Sequence, residues 1–435
     1  MDDSLLTGQT EWDCISNIRD TLLLFRKMGF VIHPTKSILK PSKQIQYLGV
    51  IIDSETMTVS LTPERINSLK ADCKKLLKRQ VMTVREVAHV IGKMIARFPA
   101  VRYGPLHYRS LENNKTEALK RCKGDFYKTL TLATDNREEL SWWIDNVQDS
   151  YINVRTSKPD VVVTSDASFT GWGCDCEGVH SGGQWLPAER MYHINYLELK
   201  AVFFALQCFL SKLQNKHVRL MIDNTTAVAC INHMGTNHSL SCNQITQAIW
   251  NWCISNKIWI SAAHIPGREN VVADHESRRV NLDAEWKLDS SLLQTALSEL
   301  ECSPTIDLFA SRLNAQLPRY VSVRPEPRAV EIDAFSLCWK DETFYAFPPF
   351  SIIAQVLQKV QQDQGTGILV VPDWPTQVWY PVIHRLLLSL PVRLPCRTGL
   401  LRLPSQPEAV HPLIQRRHLS LLVCKISGRP TSSQD

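Results

Sequence analysis

The chain has 435 residues, 44% of them hydrophobic and 21% charged, with a formal net charge of +6 at pH 7. This is an ordinary soluble composition with apolar material for two to four cores, and its mild basic excess suits a polyanionic partner without requiring one. No apolar run approaches the roughly 20 residues that cross a bilayer, and the opening MDDSLLTGQTEWDC lacks the basic-then-apolar order of a secretory signal. The thirteen cysteines are scattered and form no C-x-x-C pair. Reduced, mostly buried thiols are therefore expected, in a protein of the cytoplasm or nucleus with no membrane partner.

The fold class expected is a multidomain mixture of α/β and α+β. Residues 1–61 read as a small α+β piece: an amphipathic helix around ISNIRDTLLLFRKMG stopping at Gly29, then the hairpin IQYLGVIIDSETMTVSL at period two. Residues 62–155 read as helical, opening at Leu61-Thr62-Pro63-Glu64 and running through INSLKADCKKLLKRQ, VREVAHVIGKMIARF and ELSWWIDNV. Residues 156–281 begin with the β-rich DVVVTSDASFTGWGCDC. They continue through the helix NYLELKAVFFALQCFLSKL, the strand HVRLMID and the strand IWISAAHI. Three strands, then helix, strand, helix, strand and helix, predict one domain with a central mixed sheet. A linker helix is expected over 282–302, and a second α/β unit over 303–425, where GILVVP alternates with FSIIAQVLQKV. Residues 426–435 read as a disordered tail.

Four acids in the third segment stand apart. Asp166 sits inside the apolar run VVVTSDAS, where an unpaired charge costs several kcal/mol. Asp223 ends the strand VRLMID, at the end of a sheet where α/β folds bind ligands. Glu198 falls in the first turn of NYLELKAV, and Asp274 in the opening turn of the helix after HIPGREN. Four converging carboxylates cannot all ionise without a counter-cation, and a hard divalent ion takes oxygen ligands of this kind. Two such ions roughly 4 Å apart suit in-line hydrolysis of a phosphodiester. Helix capping for Asp223 and Asp274, a dipole-favoured first-turn acid for Glu198 and a turn role for Asp166 stand as the alternative for each acid alone.

The blocks TSDASFTGWG, INYLELKAV, MIDNTTAV and HIPGRENVVADHESR resemble, in order and context, those of the retroelement-type ribonuclease H family. The resemblance implies that Asp166, Glu198, Asp223 and Asp274 hold two Mg²⁺ ions, or Mn²⁺, and that the partner is an RNA/DNA hybrid whose RNA strand is cut. It also implies a product-release role for His264, with a plain structural role left open; Ser168, Asn195 and Asn224 lie beside the acids, where contact to sugar or phosphate and, at least as readily, helix or turn capping are both open. The triplet His275-Glu276-Ser277 departs from the commoner small residue after the last acid.

Two further resemblances flank this one. MDDSLL, GFVIHPTKS and IQYLGVIID resemble the second half of a reverse-transcriptase palm, with Asp2 and Asp3 as remnant polymerase metal ligands, a loop lysine at Lys36 and a primer-grip hairpin around Leu48-Gly49. No DNA synthesis by this chain alone is expected, and residues 62–155 would then be a thumb or connection region. IDLFAS, IDAFSLCW, FYAFPPFSIIAQVLQKV and ILVVPDWPTQVWYPVI resemble phage-type adenine-N6 methyltransferases, a module carried after ribonuclease H by tyrosine-recombinase (DIRS) retrotransposons. Asp307 would be the cofactor-holding acid. Phe347 replaces the hydrogen-bonding residue of the Asn/Asp-Pro-Pro-aromatic loop in Phe347-Pro348-Pro349-Phe350, which points to a degenerate module. The whole reads as a retrotransposon polyprotein fragment with ribonuclease H activity; the alternatives are an inactive nucleic-acid-binding remnant or a late-started piece of a full reverse transcriptase.

Overall fold

The computed structural model describes residues 3–155, 158–279, 286–416 and 418–429. It divides into two compact units, one of Met1–Lys158 with His233–Asn243, the other of Pro159–Asn232 with Gln244–Asp435.

In the first unit, Thr10 and Asp13 form a capping box that starts α1 (Glu11–Lys27), and Gly29 at φ +85° follows its end. Strands β1 (Gln44–Tyr47), β2 (Val50–Asp53) and β3 (Thr58–Leu61) form an antiparallel meander. The β1–β2 turn places Leu48 at φ 48° and Gly49 at φ 79°, the paired left-handed residues of a two-residue hairpin. Thr62 caps α2 (Pro63–Leu77), and β4 (Val81–Thr83), α3 (Val84–Ile95), α4 (Arg109–Arg121), β5 (Thr129–Thr131), α5 (Thr134–Asn146) and β6 (Tyr151–Asn153) follow. The helices bury Leu69, Met94, Leu111, Leu140 and Trp143 in one core.

The segment expected to be helical thus contains three short strands. β4 pairs with β5, and β6 returns to β3 as the fourth strand of the meander. Strands of three residues are too short for a period of two to register in the sequence.

In the second unit, β7 (Val161–Ala167), β8 (Gly171–Cys176) and β9 (Val179–Gln184) form an antiparallel run. After them come α6 (Ile194–Cys208), the short α7 (Leu210–Leu213), β10 (His217–Ile222), α8 (Thr225–Asn232), α9 (Leu240–Ser255), β11 (Trp259–His264) and α10 (Val271–Arg278). The sheet order is β11-β10-β7-β8-β9, with β10 parallel to both its neighbours. The element order read from the sequence is present throughout this sheet.

The rest of the unit holds β12 (Lys287–Leu288), α11 (Ser290–Glu299), β13 (Ile306–Asp307), β14 (Val321–Ser322), β15 (Glu331–Ile332), β16 (Thr343–Ala346) and α12 (Ile353–Asp363). Then follow β17 (Thr366–Pro372), α13 (Tyr380–Leu386), β18 (Val392–Leu394), β19 (Leu401–Arg402), α14 (Pro412–Gln415) and β20 (Leu421–Ser427). A second sheet runs β13-β16-β17-β20-β18, its first three strands parallel. Leu369, Val371 and Cys424 enter the core under α12, while Ile368, Val370 and Val423 enter the one under α11. Burial on both faces is why GILVVP and LLVC read as unbroken apolar runs. β20 carries Ile426 and Ser427 opposite Gly367 and Thr366, so these two residues, expected in the tail, belong to a strand; residues 430–435 lie outside the described residues.

Candidate active site

Register brings the first two acids together. Ser165 on β7 pairs with Ile222 on β10, so Asp166 and Asp223 follow at the same level of adjacent parallel strands. Glu198 arrives from α6, which packs on β7. The His193 ring caps that helix by accepting from the Asn195 N–H at 3.2 Å, so α6 begins at Ile194 and Glu198 falls in its second turn. The first-turn reading of Glu198 is thereby corrected, and a dipole explanation for its charge goes with it.

One carboxylate oxygen each of Asp166, Glu198 and Asp223 lies within 4.8 Å of the others. Asp166 is 3% and Glu198 4% exposed, and Asp166 Oδ2 and Glu198 Oε2 are buried with no hydrogen-bond partner among the described residues. Burial, then Asp166 and Asp223, push Glu198 up to about 9 against one bond from the Ala167 N–H. Burial also lifts Asp166 to about 6, with the Ser277 hydroxyl opposing and Asp223 and Asp274 adding. Asp223 is raised in the same way, chiefly by burial, with its own N–H and His264 drawing it back. Unpaired buried acceptors of like charge carry a real desolvation cost, and a divalent cation would satisfy all three at once. The donor set is all oxygen, which fits Mg²⁺ or Mn²⁺.

The fourth acid stands outside this trio. Asp274 on α10 accepts from Arg278 Nη2 at 2.6 Å and Nε at 2.9 Å, one turn along the helix. It is still near enough to raise both Asp166 and Asp223. His264 ends β11 opposite Ile222, beside Asp223. Asn224 caps α8 through the Ala227 N–H at 2.9 Å and donates to Asn195 Oδ1 at 3.0 Å, so these two amides form a pair next to Asp223. Ser168 is used internally: its hydroxyl accepts from the Gly171 N–H and donates to the Ser277 carbonyl.

Sequence reasoning missed Ser277 and Asn270. Asn270, 2% exposed, donates to the Ser165 carbonyl at 3.0 Å and fixes the start of α10 against β7. Ser277 lies one turn beyond Asp274, so helical spacing was the available signal.

Asp2 lies outside the described residues; Asp3 is exposed, its carbonyl accepting from Tyr47 Oη at 3.2 Å, and Lys36 is exposed. Asp307 is buried at the end of β13, where its carboxylate accepts from the Gln316 N–H at 2.9 Å and the Phe309 N–H at 3.4 Å, and burial lifts it to about 7. Phe350 packs between Phe347 and Trp374, with ring centroids 6.2 and 5.3 Å away. None of the thirteen cysteines forms a disulfide. No helix among the described residues is long and apolar enough to cross a membrane.

Comparison of the sequence with protein-family models and with curated proteins finds no match. Among solved structures, the chain is similar to a foamy viral protease-reverse transcriptase in complex with double-stranded DNA, at 12% identity over 60% of this chain and 44% of that one, TM-score 0.30. A foamy viral protease-reverse transcriptase in complex with RNA/DNA hybrid is similar at 11% identity over 59% of this chain and 34% of that one, TM-score 0.31. The RNase H1 of the halophilic archaeon Halobacterium salinarum NRC-1 is similar at 16% identity over 27% of this chain and 92% of that one, TM-score 0.23. The chain thus spans less than half the length of either foamy viral protein.

Proposed function

We propose that the chain is a divalent-metal-dependent ribonuclease H that hydrolyses the RNA strand of RNA/DNA hybrids, as part of a retroelement reverse-transcriptase polyprotein. The observation that carries this reading is the cluster of Asp166, Glu198 and Asp223, one carboxylate oxygen of each within 4.8 Å of the others, in which Asp166 and Glu198 each also hold a buried oxygen with no hydrogen-bond partner among the described residues. A site that stores this much like charge in a desolvated sheet end is suited to cations and a phosphodiester rather than to structural duty.

In this mechanism, Asp166, Glu198 and Asp223 would hold the metal, and Asp274 would turn from Arg278 to complete the set. Bound divalent cations activate water and neutralise charge developing on the phosphoryl oxygens. Hydrolysis forms one bond from the water oxygen to phosphorus and breaks the bond to the leaving ribose oxygen, which takes up a proton. His264 stands where it can hold or release a proton beside Asp223. The paired amides of Asn195 and Asn224 offer neutral donors and acceptors to a 2′-hydroxyl, the group that marks RNA. Arg278 lies close enough to draw down Asp166 and Asp223, and supplies positive charge for a phosphate.

The test is strand- and metal-resolved. Hybrids labelled on the RNA or on the DNA strand are incubated with the full chain in Mg²⁺, Mn²⁺ or chelator. Cleavage of RNA alone, abolished by chelator, is expected; cleavage of both strands, or cleavage that survives chelation, would overturn the reading.

A further inference from the structure

The triplet His275-Glu276-Ser277 finds its explanation on the far side of α10. Two positions along a helix turn a side chain through about 200°, so Asp274 faces the carboxylate cluster while Glu276 faces away. Glu276 is nonetheless 4% exposed. It packs over Gly173 and Gly182, where a side chain on either glycine would meet its Cβ at 2.9 or 3.0 Å. Its carboxylate pairs with Arg324, which lies between β14 and β15 of the second sheet's unit, and with Arg279 at 3.3 Å. Next to this contact the Ser181 hydroxyl of β9 donates to the Pro325 carbonyl.

A second arginine from the same stretch reaches the other acid-bearing helix. Arg312 donates to Glu189 at 3.1 and 3.2 Å and to the Gln184 carbonyl at 2.8 Å. Glu189 also binds Lys200 of α6 at 2.8 Å, and the Arg312 guanidinium lies 4.8 Å from the centre of the Phe204 ring on α6. The helix carrying Glu198 and the helix carrying Asp274 are therefore each held from behind by one arginine of the stretch 312–324.

We propose that Arg312 and Arg324 are positioning residues, through which the C-terminal α/β unit fixes α6 and α10 so that Glu198 joins Asp166 and Asp223 and Asp274 is held within reach of them. On this account the C-terminal unit serves as a structural subunit of the nuclease site. The inference rests on the function proposed above only for its catalytic readout. Bidentate and desolvated arginine–carboxylate pairs fix geometry as well as add attraction, and small misplacements of a reacting constellation cost large factors in rate.

The test uses the full chain with R324A, R324K and the charge swap R324E/E276R, each made also in a D274N background. Two readouts are taken: kcat and KM for hybrid cleavage, and Mn²⁺ affinity by titration calorimetry. R324A should lower kcat about tenfold with KM little changed and weaken Mn²⁺ binding several-fold; R324K and the swap should each recover much of both. With D274N present, R324A should add little, because the arginine acts through that acid. Should R324A fail to fold, E276Q carries the same comparison. Wild-type Mn²⁺ affinity and rate in R324A would overturn the brace, as would equal losses with and without D274N. A wild-type chain that binds Mn²⁺ without cutting hybrid would sink the proposed activity and leave the brace to be judged by metal affinity.

Discussion

Glu198 and Asp166 each hold a buried oxygen that nothing among the described residues satisfies. Metal binding should therefore stabilise the fold as well as enable chemistry, by about 2.7 kcal/mol at a hundredfold excess of ion over its dissociation constant. A thermal scan with and without Mg²⁺ should show an upward shift in the wild type and little or none in D166N; equal shifts in both would place the ion elsewhere. These acids were legible from sequence because a carboxylate inside VVVTSDAS or at the end of VRLMID breaks an apolar pattern. All four were expected to converge, whereas the structure gathers three. The turn of Asp274 toward Arg278 depends on a neighbour four residues on, and the turn position of Glu198 on a histidine cap that the usual cap residues do not announce.

At the scale of elements, α10 can lie on the sheet because the strands beneath it carry glycine. A Cβ on Gly173 would stand 2.1 Å from the Ala273 carbonyl oxygen and 2.6 Å from the Ser277 nitrogen, and one on Gly171 2.7 Å from the Ser277 carbonyl oxygen. G173A must lift the helix that carries Asp274. The expected cost is about 1–3 kcal/mol in unfolding free energy, by denaturant titration, together with most of the nuclease rate. A variant of native stability and full rate would contradict this packing. The glycines of TGWG were visible in the sequence as part of a family-like block, but their reason, direct helix-to-backbone contact, exists only once α10 is docked. The same limit hid β4, β5 and β6, whose pairing partners lie far along the chain.

Across the whole molecule, element order was read well where strands and helices are long, and least well where function and packing diverge. Asp307 looked like a cofactor acid because it ends a strand; in the fold it is enclosed and bound by two backbone N–H groups. Burial raises its pKa from 3.8 to about 7, so the native state holds its proton more tightly than the unfolded chain does. That contribution is full below about pH 4 and is lost as pH rises through 7, by roughly 2–4 kcal/mol. Unfolding should thus become easier between about pH 4 and 7, and D307N should flatten the slope; an unchanged slope would remove Asp307 as its source.

The proposed activity places RNA cleavage at the three carboxylates that β7, β10 and α6 bring together. Cleavage of a labelled RNA/DNA hybrid by the full chain in Mg²⁺, measured beside D223N at matched folding, tests it most directly. The expected result is RNA cleavage by the wild type and a rate at least about 100-fold lower in the variant. Equal rates, or no cleavage by either, would contradict it.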